Sequence, residues 1–159
     1  MNVAEKRRRL IAQLEEHLAN LDKSISGLVY SFDKCVAIGG KAEYDLEEQE
    51  SFEALTSRFA RTSDILTQKV FKSLFILLQE NVKTAIDAAN CLEKLEIIEN
   101  AEDLLNVREL RNQIAHEYVE SNLKDLFSDV LRYVPELKKI VNNTKTFVNN
   151  QVDRLKTEG

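Results

Sequence analysis

Helix breakers are scarce in this chain. Its 159 residues include one proline, Pro135, and four glycines, and there is no tryptophan. So few breakers leave little room for the tight turns that an all-β or mixed fold needs, and an all-α protein is the economical reading. Cysteine is scarce too. Cys35 and Cys91 lie far apart in no metal-ligand spacing and read as buried free thiols in a reducing compartment. With only two histidines, His17 and His116, about a hundred positions apart, no transition-metal site is expected. Walker and dinucleotide-binding loops are absent: Gly39-Gly40 is too isolated a pair to cradle a phosphate, so no cofactor is expected. No run of about 18 apolar residues could span a membrane. Met1 to Arg9 is basic but leads into an amphipathic segment rather than a signal-peptide core, and a cytoplasmic protein is expected.

What the chain does have is a soluble balance, 43% hydrophobic and 31% charged, in a length suited to one core. The net charge of −5 argues against broad binding to nucleic acid, which shows as a basic domain; a small cleft built from a few arginines remains open.

Apolar residues recur at spacings of three and four. Leu10, Leu14, Leu18, Leu21, Ile25, Leu28 and Phe32 predict a long helix from about Val3 to Val36, ended by Gly39-Gly40. A second stripe from Leu46 to Leu78 predicts one long helix or two, with Thr62-Ser63-Asp64 as its weak patch. A shorter helix fits Thr84 to Leu95. Asn100 is the expected N-cap of the next, with Asp103 in its first turn, running to about Tyr118. Asn122 is the expected N-cap of the last helix, which buries Leu123, Leu126, Phe127, Val130, Val134, Leu137 and Val141. Pro135 should kink it, and the polar end from about Asn142 should fray. The expected architecture over residues 1–159 is a single domain, an antiparallel bundle of four or five helices.

One segment stands out: Arg111-Asn112-Gln113-Ile114-Ala115-His116-Glu117-Tyr118. It puts an arginine, an amide, an imidazole and a phenol within about two helical turns. Arginine carries permanent charge for a phosphate, and histidine can exchange a proton near neutral pH, so together they suit phosphoryl chemistry without a metal. At about 100° per residue, Leu104, Val107, Ile114, Ala115 and Tyr118 fall within roughly 60° of Arg111. Arg111 is therefore expected in the middle of the apolar arc, where its charge must be paired or must face a cleft or a second subunit. Asn112 and His116 project from one flank of that arc, and His116 lies about 140° from Arg111 in a straight helix. One helix does not easily aim both at one phosphate, so an antiparallel second copy completing the site is expected, provided the helix stays wound as far as His116. The blander alternatives are a structural arginine bridging carbonyls or a carboxylate, a helix-terminal histidine, and an interface tyrosine at Tyr118.

The pattern Arg111-Asn112, then His116 and Tyr118, resembles the signature of the HEPN superfamily of helical-bundle proteins, many of them metal-independent ribonucleases. Tyrosine two residues after the histidine is similar to the HepT toxins, partners of minimal nucleotidyltransferase antitoxins in prokaryotic toxin–antitoxin pairs. Ser57-Arg58-Phe59-Ala60-Arg61 with Asp64-Ile65-Leu66, Leu92-Glu93-Lys94-Leu95, and Arg108-Glu109-Leu110 also resemble this group, so the likeness spans about Asp45 to Tyr118. The resemblance implies a HEPN-like homodimer with a composite site across its interface. Arg111 would stabilise charge on the scissile phosphate, and His116 would act as base or acid in attack by the ribose 2′-hydroxyl. Asn112 would orient the phosphate or the catalytic pair, and Tyr118 would accept AMP from the nucleotidyltransferase. Asp64 is a candidate supporting carboxylate whose alternative is a solvated helix residue. Rival readings are a non-catalytic, substrate-presenting partner of a nucleotidyltransferase and a plain helical interaction protein.

Overall fold

The computed structural model describes residues 2–116 and 123–158. Among these there are only helices: α1 (Val3–Ile38), α2 (Leu46–Asp64), a π-helical segment (Ile65–Phe71), α3 (Lys72–Leu77), α4 (Ala85–Lys94), α5 (Ala101–His116) and α6 (Leu123–Thr157). Because α2, the π segment and α3 follow without a break, the described residues form five helical rods. None of them is long and apolar enough to cross a membrane.

The helix starts follow from local chemistry. Asn2, Asp45 and Thr84 each accept from the backbone N–H three residues on, while Glu5, Glu48 and Asp87 reach back to the capping residue. The amide donors around Asp87, that of Thr84 first, hold its carboxyl below the usual carboxylate range. At α5 the opening N–H of Ala101 is taken by Glu93 Oε2 at 2.6 Å, a partner from the preceding helix. Asn100 stands just before that start, and its carbonyl accepts from Asp103 N at 3.1 Å. The expected N-cap Asn122 lies outside the described residues.

The stops are less conventional. Gly39 ends α1 at φ 74°, where its N–H donates to Cys35 O. By contrast, α3 and α4 end on Gln79 and Glu96, both left-handed at φ 57° and 60°, without glycine. There the wrapping bonds Glu80 N to Phe75 O and Ile97 N to Leu92 O close the ends.

α1 is the spine. Ser24 and Thr62 share a 2.6 Å hydroxyl hydrogen bond, and Arg58 donates to Gly27 O and Ser31 Oγ, so α2 runs antiparallel to α1. Lys145 pairs with Asp22 and Lys156 with Glu15, so α6 is antiparallel to α1 as well. Phe52 stacks on Phe127 with centroids 4.7 Å apart, and Tyr44 packs on both, tying α2 to α6. Leu14, Leu21, Leu28, Phe59, Leu66, Leu92 and Val107 have no exposed surface and belong to one continuous core. Cys35 and Cys91 are free and buried, and burial pushes both thiols up.

The helix is continuous through Pro135, which lies on its exposed face. One expectation for α6 changes. The polar stretch after Asn142 remains helical to Thr157 because Thr144, Val148 and Val152, four residues apart, are buried. Thr144 conceals its hydroxyl by donating to Ile140 O at 2.7 Å.

Candidate functional site

Arg111 and Asp64 come from different rods and meet side by side. Arg111 Nε donates to Asp64 Oδ1 at 2.8 Å and Nη2 to Oδ2 at 3.0 Å, the two-pronged pairing that fixes a guanidinium plane. The carboxylate pushes the arginine's pKa above its already high ordinary value, first by hydrogen bonding and then by charge. The pair is not deep: the side chains keep 35% and 41% of their exposure. At that exposure solvent screens the attraction, so the pair fixes geometry more than it adds stability.

Arg111 sits on the shoulder of the buried arc, not in its middle as expected. Leu104, Val107 and Leu110 are the buried residues of α5, whereas Ile114 and Ala115 are only half-buried. Burying Leu110, about 100° from Arg111, swings the apolar centre away from the arginine. That turn leaves the guanidinium at the edge of a hollow.

The hollow is a cavity of 670 Å³ between the π segment and α3 on one side and α4 and α5 on the other. Phe71, Phe75, Ala88 and Leu104 contribute apolar wall, while Asp64, Arg111 and Asn112 line the edge nearest the motif. Further lining cations are Lys72, Lys83 and Arg108. A smaller, more open groove of 420 Å³ lies on the other side of Asp64 and Gln68 and carries Arg61 and Lys69. Asp64 thus stands on the saddle between two hollows, where the α-helical winding of α2 gives way to the wider π winding. Such π turns occur often at functional sites.

Of the residues singled out from sequence, Arg111, Asn112 and Asp64 come together. His116 does not line the cavity; it is exposed at the last described turn of α5. The helix remains wound as far as His116, so the angular separation between arginine and histidine stands. Tyr118 lies outside the described residues. His17 is half-buried on α1.

Sequence reasoning missed Ser63, Gln68, Lys72, Lys83 and Arg108 as cavity residues; only the packing of α5 against α2 and of α4 against α5 brings them together. Among the described residues no three His, Cys, Asp or Glu side chains gather as a metal-binding group. In comparisons with known proteins, no family model and no curated protein matches the chain.

Proposed function

We propose that this protein is a metal-independent endoribonuclease of the HEPN type, acting as the toxin of a toxin–antitoxin pair. The observation that carries the reading is the two-pronged Arg111–Asp64 pairing at the mouth of a cavity that Asn112 also lines. It sits within the sequence Arg111-Asn112-X-X-X-His116-X-Tyr118. Asp64 engages the Nε side of the guanidinium; the Nη1 edge points away from that pairing and is the surface offered to a phosphate.

In the reaction, His116 takes the proton of a ribose 2′-hydroxyl, whose oxygen attacks the adjacent phosphorus. Arg111 stabilises the extra negative charge in the transition state, and Asn112 orients the phosphate. The bond to the 5′-oxygen breaks as that oxygen takes a proton from solvent water, leaving a 2′,3′-cyclic phosphate and a 5′-hydroxyl, and His116 returns its proton to solvent. DNA, lacking the nucleophile, is not cleaved. Because Arg111 and His116 diverge on one straight helix, a working centre takes the arginine of one protomer and the histidine of an antiparallel partner. Tyr118 is the acceptor for AMP from a nucleotidyltransferase antitoxin, and the added phosphate puts negative charge two positions from His116 in sequence, which opposes RNA binding.

RNA cleavage by the purified chain in excess EDTA, compared with His116→Ala, tests this reading. Cleavage by the wild type alone supports it. A folded, unmodified wild type that leaves RNA intact favours a second reading, a non-catalytic partner of a nucleotidyltransferase. The exposed position of His116 away from the cavity is the observation on that side.

A further inference from the structure

The cavity beside Arg111 is larger than a phosphate needs. At 670 Å³ it falls in the range of sites that enclose a small organic molecule, with an apolar body and a few polar groups around it. Its inner wall is apolar, from Phe71, Phe75, Leu104 and Ala88. Its rim is cationic. Lys72, Lys83 and Arg108 all line it, and among the described residues none of the three is in an ion pair, while the lining acids Asp64 and Glu80 are engaged by Arg111 and Lys94. In a chain of net charge −5, three cations around one hollow, none in an ion pair among the described residues, favour an anion.

Inside the cavity wall is a polar group without a partner. Ser63 is 2% exposed, and its hydroxyl makes no hydrogen bond among the described residues. Buried helical hydroxyls normally return to the carbonyl four residues back, as Ser51 does to Glu47 O and Thr144 to Ile140 O. Ser63 does not, although its own carbonyl is taken by Thr67 Oγ1 at 2.9 Å. Leaving such a group unmade costs about 1–3 kcal/mol, which a ligand bearing a donor or acceptor would recover once the hydroxyl, closed off from the cavity in this structure, turns towards it. An apolar slot, a buried unpartnered hydroxyl and a cationic rim fit a heterocyclic base attached to a phosphate.

We propose that this cavity is a base-binding subsite, taking one unstacked base of single-stranded RNA while the neighbouring phosphate lies on Arg111. The proposal rests on the ribonuclease reading and adds to it a position of base selectivity. Ser63 reads an edge of the base, the Phe71 and Phe75 wall excludes water, and Lys72, Lys83 and Arg108 hold the flanking phosphates. A base inside a duplex cannot reach the slot, so paired RNA is a poor substrate.

The test is an amide NMR titration of the full-length His116→Ala chain, which cannot turn over, with the four nucleoside 3′-monophosphates and with inorganic phosphate. The expected result is saturable shifts around Ser63, Gln68 and Ala88, with one nucleotide preferred. Ala88→Phe, which fills the slot from α4, should weaken nucleotide binding by at least about tenfold. Ser63→Ala should reduce the preference among bases by roughly threefold, the value of one neutral hydrogen bond. Should Ala88→Phe fail to fold, Lys72→Glu on the exposed rim should weaken all four nucleotides together by roughly threefold or more. Inorganic phosphate binding as tightly as every nucleotide, or nucleotide shifts confined to residues outside the cavity, would overturn the subsite. Wild-type cleavage with no base in the slot would sink this inference and leave the ribonuclease reading intact. Selective nucleotide binding in a chain that never cleaves RNA would do the reverse.

Discussion

Arg58, on α2, and Arg111, which meets the end of α2 from α5, are both half-buried arginines, and they do opposite work. Arg58 spends its guanidinium on neutral acceptors, Gly27 O at 3.2 Å and Ser31 Oγ at 2.6 Å, and lies 5.9 Å from the Tyr30 ring centroid. Those contacts close the seam between α1 and α2. Arg111 spends two of its N–H groups on a carboxylate, beside a cavity of 670 Å³. The first arrangement stabilises a fold; the second holds a charge still at the edge of a space that a substrate could enter. Burial does not separate the two residues. What lies beside the guanidinium, an interhelical seam or a cavity, does.

Breaking Arg111 should therefore cost activity and little stability. Arg111→Ala is expected to lower RNA cleavage by at least about a hundredfold. Its unfolding free energy should fall by about 1 kcal/mol or less, because the pair is solvent-screened. Arg111→Lys should not restore the rate, since a single ammonium cannot reproduce the planar fork. Urea denaturation beside single-turnover cleavage measures both quantities.

Asp64→Asn sharpens the same point. The amide keeps the shape but loses the charge that aligns the fork, so kcat should fall by about tenfold while KM for RNA stays level or drops. A rise in KM with unchanged kcat would instead make Asp64 a contact to substrate.

Arg58→Ala should show the mirror image. Loss of two hydrogen bonds and of the packed stem should cost about 1–2 kcal/mol in stability, with cleavage unchanged at temperatures where the variant is folded. If Arg58→Ala abolished cleavage without lowering the unfolding midpoint, the distinction between the two arginines would collapse.

The smallest effect concerns Gly27, which faces Arg58 from within α1. A Cβ there would meet Arg58 Nε at 3.7 Å, an ordinary contact. Gly27→Ala should then raise stability by roughly 0.5–1 kcal/mol, the usual gain from removing a mid-helix glycine. A loss of stability in thermal unfolding would mean that the Arg58 seam is tighter than its distances imply.

Much of the fold was legible because its apolar spacing is regular. The stripe from Leu10 to Phe32 predicts α1 nearly to its ends, and Asp45 and Thr84 sit where capping chemistry needs them. The π segment was not legible, though a signal exists. Leu66, Val70, Leu74 and Leu78 step strictly by four, which on an α-helix drifts about 40° each time. A wider turn offsets that drift, and Leu66, Val70 and Leu74 are all buried with no exposed surface. The persistence of α6 beyond Asn142 was hidden because Thr144 counts as polar until its hydroxyl is seen to bond its own helix. At the site, the need for a partner to Arg111 was readable from its place on the helical wheel. The choice of Asp64 was readable only as one candidate carboxylate, because the two positions are 47 residues apart. The cavity had no signal in the sequence at all. Its walls come from three separate segments, and nothing in the spacing of Ser63, Lys83 and Arg108 relates them.

The most direct test of the central claim is complementation between two dead variants. Arg111→Ala and His116→Ala are mixed as unfolded chains, refolded together, and assayed for RNA cleavage in EDTA. In a dimer whose centres each take arginine from one protomer and histidine from the other, every mixed dimer regains one intact centre. The mixture should then recover roughly a quarter of wild-type activity, from random pairing and one live centre in two. A mixture as inactive as either variant alone, beside a wild type that cleaves, would contradict the shared centre.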